Sequence, residues 1–351
     1  MSFDNYQHWN TSTSLGVMRE LDPMVTYWLE LAFTGGTVTF DEEYIDFEKI
    51  PAKGRKLAPF VMPMSQGKPV YERGSRLERF KPAYIKELDA VTPTRVLKKG
   101  PGSLFSDAAK MTPAQRYNAT KMDIVSCHVE AIMRRWEWMA CRAVIDGEVV
   151  IEGDGYPTQT VNFGRDASHD IVLAAGTRWG EAGVSIIDDL QEWMDTMHSA
   201  KFGGAPTRLT VGTEAWKVMR KDAELKDLMD TDYRGDKSEI KRGLTGTGEV
   251  RFVGTLDPNL EVYVYNDYYE VGGVQTPMMD PRDVVLTGPA IEGFRCFGAI
   301  QDAHSNFTAM PIFPRNWLPN SDPAVEQILH QSAPLMVPTN PNASARARVV
   351  A

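Results

Sequence analysis

The sequence predicts an α+β protein, and three observations carry that reading. One very long amphipathic helix runs from Thr112 to about Asp146. Short strand-like segments and helices follow it without the regular spacing of strand–helix–strand units, so a parallel α/β sheet is disfavoured. A proline-rich, basic stretch from Pro51 to Pro93 fits neither pattern.

In chain order, residues 1–20 are polar and unpatterned, an arm expected to be disordered unless something holds it. Asp22-Pro23 is a start signal for a short helix from Met24 to Phe33, which Thr34-Gly35-Gly36 stops. Thr37 to Ile50 alternates and reads as extended. In the proline-rich stretch, Leu57–Met64 and Val70–Tyr84 are expected to pair as a long twisted hairpin, with a solvated loop as the plain alternative. Proline inside such strands points to edges. A hairpin without a core of its own needs another surface to lie on.

The long helix has a strong start. Thr112 is placed to cap, Pro113 suits the first helical position, and Gln115 can close a capping box. Met122, Val125, Val129, Ile132, Trp136, Met139 and Ala143 follow at steps of 3 and 4, which puts all seven on one face. Asp146-Gly147 ends the run. A helix of this kind spans about 50 Å at ~1.5 Å per residue, against a usual length of ~11–12 residues. A core helix is the plain reading, and a coiled coil is the rival.

Beyond it, Glu148–Glu152 and Gln159–Phe163 read as strands joined by Gly153-Asp154-Gly155. Ser185–Met197 is an amphipathic helix, Pro206–Val211 a strand, and Thr213 opens a helix. Val250–Val253 and Val262–Tyr265 read as strands about Asp257-Pro258-Asn259. Gly272-Gly273 marks a hairpin turn within Asp267–Met279, and Val284-Val285-Leu286 is a short buried strand.

Composition narrows the function. The chain has 351 residues, 42% hydrophobic and 24% charged, enough for a substantial core and for more than one domain. Its net charge of −9 argues against a protein that grips nucleic acid. Cys127, Cys141 and Cys296 form no CxxC pair and read as free, buried thiols in a reducing compartment. The start of the chain lacks a signal-peptide pattern, and no apolar run is long enough for a membrane span.

The catalytic inventory is thin. His8, His128, His169, His198, His304 and His330 show no metal-ligand spacing. No nucleophile elbow, phosphate loop or dinucleotide fingerprint occurs. Gly243–Gly248 is glycine-rich but opens no helix, so a surface loop is the reading. Asp188-Asp189 and Asp280-Pro281-Arg282-Asp283 read as caps and turns, and His128 as a packing residue. No catalytic, cofactor-binding or metal-ligating residue is assigned.

The C-terminal quarter carries a resemblance. Phe297-Gly298-Ala299-Ile300-Gln301-Asp302-Ala303, Pro314-Arg315-Asn316-Trp317, Ser321-Asp322-Pro323-Ala324 and Gln331-Ser332-Ala333-Pro334-Leu335-Met336 follow in order. Weaker similarity extends upstream, at Val285-Leu286-Thr287-Gly288, about Arg73-Gly74 and at Asp22-Pro23. In these the chain resembles the phage lambda-type major capsid protein family, family E of tailed-phage capsids. The resemblance implies the Hong Kong 97-type capsid fold. Residues 1–50 would be the N-terminal arm and 51–95 the extended loop. Residues 96–183 would be the peripheral domain with its spine helix 112–146. Residues 184–296 would be the axial domain, and 297–351 the return to the peripheral domain. It implies hexamers and pentamers closing as an icosahedral shell around double-stranded DNA in the virion, after assembly in the host cytoplasm. Decoration, portal and scaffold or protease proteins would be partners, and no catalytic residue, cofactor or membrane is implied. A bacterial nanocompartment shell of the same fold and a cytosolic enzyme are the other readings.

Overall fold

The computed structural model describes residues 9–21, 24, 26–42, 44–49, 76–97, 112–153, 156–201, 203–225, 250–256, 260–319 and 325–351. Asp22-Pro23, Leu57–Met64, the Asp154-Gly155 part of the first turn, Gly243–Gly248, Asp257–Asn259 and Ser321–Ala324 lie outside them.

Within residues 1–20, Thr11–Glu20 form helix α1, which the sequence reading left unassigned, capped where the Asn10 side chain accepts from the Thr13 N–H. Packing holds it, because Ser14 is fully buried and its Oγ accepts from Asn316. Helix α2 is Tyr27–Ala32, so it begins three residues later than the Met24 start read from the sequence. Strands β1, Thr37–Thr39, β2, Ile45–Lys49, β3, Arg76–Phe80, and β4, Ile85–Val91, come next. Strands β2 and β3 pair antiparallel with Ile45 opposite Phe80, so Arg76–Phe80 lies against the segment before Pro51.

Helix α3, Pro93–Leu97, leads to the long helix α4, Pro113–Ile145. Both halves of its capping box form: the Gln115 N–H donates to Thr112 Oγ1, and the Thr112 N–H donates to Gln115 Oε1. At the other end Gly147 adopts φ +70°, the left-handed conformation that terminates helices. Arg165 donates to the helix-end carbonyls of Val144 and Ile145, at 3.1 and 2.7 Å.

The elements read from Glu148 to Leu286 are all present, and the strands at Asp170–Val172 and from Phe294 onward are additional to that reading. Strands β5, Glu148–Gly153, and β6, Tyr156–Asn162, form a hairpin, followed by β7, Asp170–Val172. Helix α5, Ile186–Ser199, is capped by Ser185, and strand β8, Arg208–Val211, precedes α6, Thr213–Met219. Strands β9, Val250–Leu256, β10, Leu260–Tyr265, β11, Tyr268–Val271, β12, Val274–Pro277, and β13, Asp283–Thr287, follow. The chain ends with β14, Phe294–Phe297, β15, Phe313–Trp317, β16, Glu326–Ser332, β17, Pro334–Val337, and β18, Ser344–Arg348.

A mixed six-stranded sheet has the order β7-β18-β13-β8-β10-β9. One three-stranded sheet, β15-β16-β4, and another, β1-β14-β17, lie nearer the long helix. The resemblance places the whole C-terminal stretch beside the helix. Strands β16, β17 and β18 all contact α4, and β18 also pairs with β13, Asp283 opposite Arg348, inside the six-stranded sheet.

The apolar interior has separate centres. Leu209, Val211, Val262, Val284 and Leu286 of the six-stranded sheet pack on Ile186, Leu190, Trp193, Ala215 and Met219 of α5 and α6. The C-terminal half of α4 packs with Trp28, Leu29, Val149, Val161, Cys296 and Leu335. Its N-terminal half packs with Trp9, Val91, Val96 and Ile328. All three cysteines are free; Cys141 and Cys296 are buried as read, whereas Cys127 is exposed.

The helix stripe holds except at its first residue. Val125, Val129, Ile132, Met139 and Ala143 are buried, but Met122 is 46% exposed. Elements press on more than one side of this rod, so residues off the stripe, Lys121, Ile124, His128 and Glu137, are buried as well. Trp136 is half-buried and meets Phe297 of β14 edge-on at 5.0 Å. Exposed Arg135 only covers the Trp138 ring, at 5.3 Å. Trp136→Ala is therefore expected to cost about 3 kcal/mol, at the low end for aromatic truncation. Arg135→Ala should cost under ~1 kcal/mol. Urea unfolding of the soluble subunit measures both, and equal losses would contradict this face assignment.

Candidate assembly site along the long helix

Among the described residues, the chemistry-bearing side chains do not converge on a cleft. They are spread along α4, and each one fixes another element to it. Lys121 and His128 are seven residues apart, two helical turns or about 10 Å, on one side of the rod. Their partners on β16, Glu326 and His330, are four residues apart, about 13 Å along one face of a strand. The near match lets the helix run along the strand and pair with it twice.

Lys121 Nζ lies 3.0 Å from Glu326 Oε1 with both side chains almost fully buried. Burial pushes the Lys121 ammonium below its ordinary value, and Glu326 opposes that. Trp9 and Tyr117 cover the ammonium at 4.8 and 5.2 Å, a cation–π enclosure that also fastens the start of the described chain. One turn pair further on, His128 Nδ1 and His330 Nδ1 are 2.9 Å apart. One ring donates and the other accepts. Burial, and then His128, push His330 down to about 3. Asp89 of β4 lies 3.5 Å from His128 Nε2.

Toward the middle, Arg134 donates to the Tyr268 carbonyl at 2.8 Å and pairs with Asp267 at 3.3 Å. Glu137 is 1% exposed and caps α2 from outside. Its Oε1 accepts from the N–H groups of Tyr27 and Trp28 at 2.9 and 2.7 Å, and its Oε2 from Leu29 at 3.1 Å. Burial outweighs these donors and pushes the carboxyl up from 4.5 to about 7. The Arg142 side chain and the Cys141 thiol both donate to the Met278 carbonyl.

The aspartates read as turn residues carry more than turns. Asp283 accepts from Arg346 at 2.8 Å and Arg348 at 2.9 Å, and Arg346 also reaches Asp146 at the end of α4, at 2.9 Å. Asp280 binds Arg282 and Arg348, and the Arg282 hydrogen bond first of all holds it near 2. This network joins the six-stranded sheet to the helix. Asp188 and Asp189 do sit in the first turn of α5, as read. His128 is a buried packing residue, as read, with an unforeseen partner in His330. Lys121 and Glu137 were missed, because a single polar residue beside an apolar stripe looks solvated.

Several polar groups of this rod hold neighbouring layers together. The chain belongs to the phage major capsid protein E family, whose model matches residues 11–349. It is 28% identical over 337 residues to the major capsid protein of Enterobacteria phage P21, covering 95% of this chain and 96% of that one. It is 26% identical over 306 residues to the major capsid protein of Escherichia phage lambda, covering 86% and 88%. A crystal structure of a prophage capsid protein from Escherichia coli CFT073 superposes with TM-score 0.73 at 21% identity, covering 97% and 99%. The fold is thus that of tailed-phage capsid proteins, and the family is structural, not enzymatic.

Two expectations follow. Lys121→Met alone should destabilise the subunit by about 3–5 kcal/mol by stranding a buried carboxylate, and Lys121→Met with Glu326→Leu should recover most of that. Denaturant midpoints give the cycle; a double variant as weak as the sum of the singles would contradict the pairing. The second concerns Glu137, whose folded pKa is raised, so its contribution is present below pH 4.5 and is lost as pH rises through about 7. Wild type should lose stability relative to Glu137→Gln across that window, and a pH-independent difference would contradict it.

Proposed function

We propose that this chain is the major capsid subunit of a tailed-bacteriophage head, arranged as hexamers and pentamers in an icosahedral shell around double-stranded DNA. The single observation that supports it most is the family match across residues 11–349. In this reading residues 1–50 are the arm, 51–95 the extended loop, 96–183 the peripheral domain with its spine, 184–296 the axial domain and 297–351 the return. The β2–β3 ribbon supports an extended loop beginning at its outer end. The α5–α6 layer on the six-stranded sheet supports an axial unit with its own core. A net charge of −9 suits a wall that encloses DNA without gripping it. Decoration, portal and scaffold or protease proteins would be its partners, and assembly would take place in the host cytoplasm.

A nanocompartment shell uses the same fold, and an enclosed cargo enzyme would distinguish it. Expression of the chain, followed by sedimentation and electron microscopy, tests the proposal. Closed shells without a cargo protein are expected. A species that stays at subunit size at every concentration and ionic strength would contradict it.

A further inference from the structure

We propose that the β11–β12 ribbon is an intersubunit clasp whose tip, Val271 and Val274, docks on a neighbouring copy of this chain. The inference rests on the shell reading and deepens it. Strands β11 and β12 pair only with each other among the described residues, and a two-stranded ribbon alone is marginal in water. Its base is nevertheless rigid. Arg134 holds Asp267 and the Tyr268 carbonyl, Arg142 and Cys141 hold the Met278 carbonyl, and Tyr269 packs on the core.

Side chains alternate along the ribbon, so Tyr269, Thr276, Val271 and Val274 share one face. The Tyr269–Thr276 pair is half-buried against this subunit, whereas Val271 and Val274 are 57% and 64% exposed. One apolar face therefore starts on the core and ends in water. No charged side chain lies between Val271 and Pro277. Gly272 and Gly273, at φ +60° and +80°, close the tip with the turn that matches strand twist. The tip is thus presented preformed, which lowers the ordering cost of docking.

The occupant follows from the shell and from a second exposed surface. The ribbon is anchored at Arg134 and Arg142. Leu97 and Met122 are 69% and 46% exposed, on α3 and α4, and these two helices pack together at the N-terminal half of α4. Met122 and Arg134 are about 18 Å apart along the rod. Two apolar surfaces at different places on one chain suit a heterologous, ring-closing contact. The ribbon of one copy meets the Leu97–Met122 side of the next.

The test combines assembly with crosslinking. Val271→Asp with Val274→Asp should leave the circular dichroism spectrum and unfolding midpoint of the subunit unchanged. The concentration needed for shells should rise at least about tenfold, the equivalent of ~1.4 kcal/mol. Shells forming at the wild-type concentration would overturn the clasp. Failure of wild type to form shells would count against the shell reading instead. A photocrosslinker at position 274 should give, in assembled particles, a covalent dimer joined through the Leu97–Met122 region. Attachment within the same subunit, or elsewhere on the copy, would overturn the assignment even if the double variant misfolds.

Discussion

The structure depends on one carboxylate. Glu137 is carried by α4 and accepts the first free N–H groups of α2 from 108 to 110 residues away. A six-residue helix has few internal hydrogen bonds, and α2 shows no side-chain cap of its own. Without Glu137, three buried donors would lack a partner, each costing about 1–3 kcal/mol. With it, Trp28 and Leu29 are held in the core, and the Ala32 carbonyl accepts from Gly293 as the chain turns into β1. Strand β1 then pairs in parallel with β14, and β14 with β17. Burial of the carboxylate outweighs the three donors that bind it, which is why its pKa rises.

The same logic repeats along the helix. Lys121 fixes β16 and Trp9, His128 fixes β16 again, and Arg134 fixes the ribbon base. Arg346 fixes the six-stranded sheet at the C-terminal end. Apolar packing supplies the bulk of the stabilisation, while these polar contacts set which element sits at which height along the rod. Hydrophobic contact is non-directional, so registry along a ~50 Å helix needs directional pairs. A shell subunit needs that registry, because small errors in one subunit would be compounded around a closed ring of copies.

Much of the fold was legible from local signals. The capping box of α4, the Gly272-Gly273 turn, the Ser185 cap and the alternation of β9 and β10 all lie within a few residues of what they specify. Helix α1 was missed because its face is mostly polar; its one local signal is Asn10 with Thr13 three residues on. The roles of Lys121 and Glu137 depend on partners far along the chain, and nothing near either residue announces burial. The exposure of Met122 has the same origin, since the elements around α4 decide which side is covered. The pairing of β18 with β13 was not legible either, because Asp283, Arg346 and Arg348 match only once both strands are adjacent.

Amide hydrogen exchange tests most directly whether α4 holds the surrounding layers through such anchors. It is read at Tyr27, Trp28 and Leu29 in the soluble subunit, comparing wild type with Glu137→Ala. The account requires strong protection of these amides in wild type. In the variant, protection should be lost from α2 through β1, while β13 and β18 keep theirs. Unchanged protection at the three amides, or a loss spread evenly through the six-stranded sheet, would contradict it.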